Sequence, residues 1–446
     1  MTLQKKILIL LSLAVLTLTF AACDSEGKNT DKPSFTTSVS TYNSVGQYAH
    51  IEEQLSWEAI NAFPIKTSDM SIDEARQLCV DFFKFSKTAC WIPDETYNFV
   101  KNASGTADVI TKGQIYAGFP YVGVGSGNVY RMMDYMDEDN GVIDMSNAVE
   151  SDKPYDGWKT FGNQCSIGAY WGWARVINSA KYRWTQDCVQ NRGFLRIGPY
   201  TYDDDLVRLG GKTNGVANPN TVKILEDNGM QTMFESYAEL KLGDGLTYYT
   251  TAGHVIMASS DAYVERRENG EIDPIKSFVT ITDQGQTWET GSNASGDVYE
   301  YKLGVDTKKT FMSLYSGNYI PWTFAEWLGT DPIEETTCSF SHTGDTITLA
   351  QLWESKVTAN YGIADIYAIV HDSEGNEVYK HAVRSMQAGL MERKFVESLP
   401  EDTAVNYVEK WGTLEFAEGE TYTVSIVVQL GTGERPTVYT GELLAE

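Results

Sequence analysis

An α+β body followed by a C-terminal β-sandwich is the fold class that this 446-residue chain predicts. Three observations carry it. A capped, apolar-periodic helix begins at Ser71. A second helix opens at Cys165 and is followed by short strand-like runs. From about residue 334 onward, strand signals alternate with turn signals and no helix pattern intervenes.

The elements follow in chain order. Lys5 and Lys6 precede an apolar run at 7–20, and then come Ala21, Ala22 and Cys23. A short basic start, an apolar core and small residues before the cut describe a secretory signal. At ~14 residues the run is short for a permanent membrane span. The cysteine after Ala-Ala resembles a lipobox. That resemblance implies removal of residues 1–22, a diacylglycerol on the Cys23 sulfur, and an extracytoplasmic lipoprotein held at a membrane, on the outer membrane or cell surface. Each buried methylene of such an anchor contributes about 0.8 kcal/mol. Residues 24–42 are polar, contain no large apolar cluster, and predict a flexible tether after the lipidated cysteine, so 23–42 form one segment.

Residues 43–108 read as a mainly helical region. Ser71 and Glu74 form a capping box, and Ala75, Leu78, Cys79, Phe82, Phe83 and Phe85 recur at helical spacing until Pro93. Residues 109–333 form the next domain. Its helices are expected at 165–178, 219–228 and 231–240. Its strands are expected at 246–249, 254–259 and 277–282, with weaker ones at 298–303 and 311–314. Pro321-Trp322-Thr323 reads as its exit. Residues 334–446 predict strands at 346–349, 356–360, 365–371, 377–382, 413–416 and 422–429, an Ig-like β-sandwich spacing.

A formal charge of −26 makes nucleic acid and anionic lipid headgroups poor partners. Aromatic content is 12%, with 26 Tyr and 11 Trp, which suits a binding groove or an aromatic core. With Cys23 lipidated, Cys79, Cys90, Cys165, Cys188 and Cys338 remain, an odd number that leaves a free thiol. Cys79 and Cys90 on one continuous helix stand about 16 Å apart, too far for a disulfide. No CxxC pair occurs, so no structural metal and no cofactor is expected.

Four stretches carry chemistry: Gly118–Gly125 with Pro120-Tyr121, Gly162-Asn163-Gln164-Cys165-Ser166, Leu240–Gly245 with Gly243-Asp244, and Ala252–Met257 with His254-Val255. A free thiol titrates near 8.5 and is mostly protonated at neutral pH, whereas a helix N-terminus favours the thiolate. A neighbouring imidazole completes the activation. His254 is the one histidine between residues 51 and 341, and it opens an apolar strand. A third group should orient it.

Taken in order, these stretches resemble the NlpC-type papain-like cysteine peptidases of bacterial cell walls. The match lies in Pro120-Tyr121, Cys165-Ser166, Gly243-Asp244 and His254-Val255, over roughly residues 112–290. Gln164 stands where the family usually has Asp, and long insertions separate Tyr121 from Cys165 and Gly168 from Gly243. The resemblance implies a papain-like hydrolase domain with N-terminal helices. It also implies Cys165 as nucleophile, His254 as base, an orienting group at the end of the next strand (277–282, ending at Asp283-Gln284), with Asp283 the first choice and Gln284 the alternative, and a peptide or peptidoglycan stem peptide as substrate. Tyr121 and Gln164 are oxyanion or substrate candidates beside the Cys165 N–H, and Gln284 is a further one. Arg266, Arg267, Tyr319 and Trp322 are expected along the groove, and Trp171 and Trp173 in the core. The second expectation is a glycan- or protein-binding surface lipoprotein that keeps a hydrolase-like scaffold.

Overall fold

A computed structural model describes residues 53–100, 107–121, 127–145, 162–178, 194–285, 288–292, 298–302, 304–342, 346–348, 351–352, 355–384, 392–394 and 420–444. The signal segment, Cys23, the tether, Cys188 and the strand expected at 413–416 lie outside the described residues. The fold is mixed α/β.

Two capped helices begin it. In α1 (Trp57–Asn61) the Ser56 side chain accepts from the Ala59 N–H. In α2 (Ile72–Thr88) the capping box forms in full, with Ser71 accepting from the Glu74 N–H and the Glu74 carboxylate accepting from the Ser71 N–H. Ala75, Leu78, Cys79, Phe82, Phe83 and Phe85 are all buried. The helix ends at Thr88, five residues before Pro93. Ala89 turns to extended backbone, and Ala89–Pro93 is a fully buried strand. Trp91 explains the change: this β-favouring aromatic stacks on Tyr116 at 5.2 Å, across the antiparallel pairing with Ile115–Ala117. Cys79 and Cys90 therefore sit on different elements, and both are buried.

Ala89–Pro93 is central to a mixed sheet that continues through Ile115–Ala117 to Val298–Lys302 and Trp288–Ser292 on one side, and to Val142–Ile143 and Met136–Asp137 on the other. The short helix α3 (Val129–Met133), capped by Asn128, precedes these last two strands.

A second, antiparallel sheet holds β1 (Phe194–Arg196), β2 (Gly245–Tyr249), β3 (Gly253–Ala258), β4 (Phe278–Thr282), β5 (Thr307–Thr310) and β6 (Ile320–Phe324). Its spatial order is β5-β4-β3-β2-β6-β1. Strand β6 occupies the place expected to be the domain exit. All five of its residues are buried, Pro321 lies opposite Leu246, and the Pro321 carbonyl accepts from the Tyr200 hydroxyl at 2.7 Å.

Helix α4 (Cys165–Trp173) packs on this sheet and ends five residues before Asn178. Helix α5 (Thr221–Ala238) is broken at Gly229, where φ is 76° and ψ 162°, so the two helices expected there form one kinked element. Helix α6 (Phe311–Ser316) replaces the strand expected at 311–314. Thr310 caps it by accepting from the Ser313 N–H, and Phe311 and Leu314 at helical spacing are both buried.

The C-terminal part has a five-stranded sheet in the order Ile347–Thr348, Thr437–Leu444, Tyr422–Leu430, Ile363–His371, Glu377–Arg384. It also has a three-stranded sheet in the order Cys338–Ser341, Lys356–Ala359, Glu392–Lys394. The large sheet alternates buried Val424, Ile426 and Val428 with less buried neighbours, the period of two expected of a one-faced strand. This part is tied to the rest by a buried ion pair. Arg131 Nε donates to both Asp365 oxygens at 2.9 and 3.1 Å, and its Nη2 donates to the Ala364 carbonyl.

Candidate active site

Cys165 is the first residue of α4, where backbone N–H groups have no partner within the helix. Gln164 occupies the N-cap position, and its side chain makes no capping bond to the helix. Two glycines seat the helix. A Cβ on Gly172 would meet Phe83 Cβ at 2.8 Å and the Cys79 carbonyl at 3.0 Å, and one on Gly168 would meet Phe83 and Gln284 at 3.1 Å. Without side chains at these positions α4 lies directly against α2. At its far end Trp173 Nε1 donates to the Gly243 carbonyl at 2.8 Å.

The Gly243-Asp244 turn is a structural joint. Asp244 is buried and takes Arg76 Nη1 of α2 at 2.9 Å, the Thr323 hydroxyl at 2.6 Å and the Lys241 N–H at 2.7 Å. Gly243 itself has φ 84° and faces the Trp327 ring. The turn thus fixes where β2 starts, and β2 pairs with β3 so that Tyr248 lies opposite His254.

Strands β3 and β4 run antiparallel with Met257 opposite Thr282, which brings the end of β4 back toward the start of β3. His254 Nε2 donates to Asp283 Oδ2 at 2.7 Å. With Nε2 so engaged, Nδ1 is the nitrogen left for Cys165, whose sulfur is hydrogen-bonded to the imidazole. The backbone N–H groups of Val255 and Ser166 also point at the sulfur. Cys165 is 3% exposed, while the His254 and Asp283 side chains are 18% and 19% exposed, so the trio is sheltered yet reaches solvent at the imidazole.

The electrostatics follow from these contacts. Burial opposes the Cys165 thiolate, but the His254 hydrogen bond, the imidazolium charge and the two backbone N–H groups outweigh it and lower the thiol below its ordinary range. Burial likewise opposes the imidazolium, and the Asp283 hydrogen bond and the sulfur outweigh it, raising His254 to about 10. The two shifts describe one thiolate–imidazolium pair. The arrangement can attack an electrophilic carbon with sulfur and deliver a proton from the same side.

The other predicted residues take distinct places. Tyr121 is half-buried and forms a β-bridge with Asn163, whose N–H donates to the Pro120 carbonyl at 3.0 Å, so the Pro-Tyr segment runs beside the approach to Cys165. Gln284 is wholly buried. Its Oε1 accepts from Lys87 Nζ at 2.9 Å and its Nε2 donates to the Phe119 carbonyl at 2.9 Å, so its carboxamide is taken up inside the protein while Asp283 holds the imidazole. Tyr319 sits at the site: its ring meets Tyr248 edge-on at 5.1 Å, and it is raised above the usual tyrosine range by burial and by the charges of Asp283 and Cys165. Trp322 is core, with Nε1 donating to Thr247, and Trp171 and Trp173 are core as well. Arg266 is paired bidentately with Glu235 at 2.8 Å.

Two site residues escaped the sequence reading. Tyr248 was legible as the cross-strand neighbour of His254 once the β2–β3 hairpin was drawn. Lys87 stands four residues after Phe83, on the buried face of α2, and a charge at that spacing was the available signal. No protein-family model matches the chain, and no match is found among the curated proteins.

Proposed function

We propose that this protein is a cysteine hydrolase of amide bonds, with Cys165 as nucleophile, His254 as acid–base and Asp283 as the group that orients the imidazole. The observation that carries the reading is the chain of contacts from the sulfur through the imidazole to the carboxylate, with the sulfur at a helix N-terminus and Asp283 at 2.7 Å from Nε2. The thiolate attacks the scissile carbonyl, and electrons move onto oxygen. The Cys165 N–H, unpaired within the helix, is the candidate oxyanion donor. Collapse of the adduct breaks the C–N bond as His254 gives its proton to the leaving amine. A water, deprotonated by His254, then cleaves the thioester, releasing the acid and returning the thiolate–imidazolium pair.

The order of Pro120-Tyr121, Cys165-Ser166, Gly243-Asp244 and His254-Val255 is the basis for a papain-like, NlpC-type domain, and the strands after residue 334 for a β-sandwich beside it. On that resemblance the substrate is a peptide, with cell-wall stem peptides first to be tried, met outside the cytoplasm by a protein anchored through Cys23. Tyr248, whose ring lies tilted beside the imidazole, and Tyr319, edge-on to Tyr248, are the residues that would contact the substrate flanking the cut.

The test is labelling by a thiol-reactive peptide probe, read at the Cys165 peptide, with hydrolysis of stem-peptide fragments measured in parallel. Labelling and cleavage that both vanish in Cys165→Ala support the reading. Full labelling at another cysteine, or glycan binding without cleavage of any amide, would put the binding-lipoprotein expectation in its place.

A further inference from the structure

Lys87 is a buried ammonium that the mechanism above does not use. It lies in the last turn of α2, 1% exposed, and its hydrogen-bond acceptor is a neutral one, Gln284 Oε1. An unpaired buried charge is strongly unfavourable, so its retention asks for a countercharge. That countercharge is Asp283, the residue before Gln284 and the one whose charge acts on Lys87. The donor–acceptor chemistry settles how the link is oriented. An ammonium only donates, so the Gln284 oxygen must face it, and the amide nitrogen must then face an acceptor, which is the Phe119 carbonyl at 2.9 Å. Phe119 precedes Pro120-Tyr121, which pairs with Asn163, two residues before Cys165. The backbone of Lys87 belongs to the same joint: Gly118, at φ 78°, lies so close that a Cβ there would stand 2.6 Å from the Lys87 carbonyl oxygen. Gln284 therefore joins the two walls, the strand end behind the base to which it belongs and the Phe119–Tyr121 segment beside the nucleophile to which its amide donates, and Lys87 holds its oxygen.

We infer that Lys87 is a positioning residue of the Cys165–His254–Asp283 site, whose positive charge balances the Asp283 carboxylate and whose bond to Gln284 locks the base side to the nucleophile side. The charge count favours this. Thiolate, imidazolium and carboxylate sum to −1, and the acyl-enzyme with neutral sulfur and neutral imidazole again leaves −1 on Asp283. A +1 at Lys87, carried below about pH 8, makes the buried site neutral in both states. Burial pulls Lys87 down to about 8 against the opposing pull of Asp283. Other titratable groups around the site are Cys165, His254, Tyr248 and Tyr319.

This inference rests on the cysteine-hydrolase reading, and the experiment separates the two. The pH dependence of iodoacetamide alkylation, read by mass at the Cys165 peptide in the full chain, is compared for wild type, Lys87→Gln, Lys87→Met and Lys87→Arg. Lys87→Gln keeps a hydrogen-bond donor and removes the charge, so it is the variant expected to fold, with near-ultraviolet circular dichroism as the check. The acid limb of alkylation should rise by about one unit or more in Lys87→Gln and Lys87→Met, the range an opposite charge at close quarters supplies, and return toward wild type in Lys87→Arg. In an Asp283→Asn background Lys87→Gln should move the limb no further. A folded Lys87→Gln with the wild-type limb, or an undiminished shift in the Asp283→Asn background, overturns the role given to Lys87 and leaves the hydrolase reading standing. An ordinary thiol profile in the wild type overturns both.

Discussion

At the scale of single residues, the site is a set of charges whose protonation sets its working range. The lowered Cys165 and raised His254 place the ion pair between an acid limb owned by the sulfur and an alkaline limb near 10 owned by the imidazole. Alkylation needs only the thiolate, so its rate should hold above pH 10. Hydrolysis needs the imidazolium proton for the leaving amine, so kcat should fall there, and the two profiles measured side by side should part near pH 10. His254→Ala should move the alkylation limb up toward the ~8.5 of a free thiol. Stability follows the same groups. A raised His254 contributes stability that is full below 6.5 and is lost as pH rises toward about 10. A lowered Cys165 contributes stability that is full above 9.0 and is lost as pH falls through its folded value. From 6.5 or the folded Cys165 value, whichever is higher, up to 9.0 the two slopes cancel. The stability gap between wild type and a Cys165→Ala/His254→Ala double variant should therefore be flat just below pH 9 and narrow on either side of that plateau, which urea unfolding across pH measures. Gly304 adds a steric demand. It has φ 112°, its carbonyl accepts from the Asp283 N–H at 2.7 Å, and a Cβ there would collide with Asp283 Oδ1. Gly304→Ala should displace the carboxylate from His254 and lower kcat by about 100-fold, the scale of a ~1 Å misplacement, with KM less affected.

At the scale of elements, the contact between α2 and α4 decides where the sulfur stands. Gly168 and Gly172 share one face of α4, four residues apart, and Phe83 and Cys79 of α2 fill the space their missing side chains leave. Gly172→Val should cost about 1–3 kcal/mol by overpacking, seen in the urea midpoint, and should slow Cys165 alkylation because the helix must back away from α2. Much of this level was legible in the sequence: the Ser71 capping box, the helix start at Cys165, and the strands that bear His254 and end at Asp283 all stand where local pattern placed them. What was not legible needed tertiary partners. Residues 89–93 carry no stop signal before Pro93, and only the pairing with Ile115–Ala117 turns them to a strand. Residues 311–314 are too short an apolar run for periodicity to separate helix from strand, and the deciding feature is the Thr310 cap. Pro321 argued against a central strand, yet Ile320–Phe324 lies between β2 and β1. Lys87 was hidden for a related reason: a lysine in a helix normally faces water, and its burial follows from Gln284 and Asp283, nearly 200 residues away in sequence.

At the scale of the whole molecule, the nucleophile helix is held at both ends by different parts of the chain. Its N-terminus meets β3 and the Pro120-Tyr121 segment, while the turn after its C-terminus meets the C-terminal sheet. The glycine positions in the turn between the last two long strands show how close that contact is. A Cβ on Gly431 would stand 2.8 Å from Ala174 Cβ, and one on Gly433 would collide with the Arg175 guanidinium. Arg175 in turn donates to the Tyr130 hydroxyl and the Pro64 carbonyl. The Arg131–Asp365 pair, wholly buried, sits in the same region, and Tyr367 donates to Asp134 at 3.0 Å. The C-terminal sheet is thus part of the support of α4, and its stability should be shared with the site. Asp365→Asn leaves the Arg131 charge buried without its partner, a change of about 3–5 kcal/mol. If the two parts unfold together, hydrogen exchange in Asp365→Asn should speed by a similar factor at slow amides of β3 and of Ile363–His371, and Cys79, buried under α4, should become reactive to thiol reagents at the same denaturant concentration as the C-terminal sheet opens. Faster exchange confined to the C-terminal strands, with Cys79 still protected, would instead mean that α4 keeps its place on α2 and β3 without that sheet.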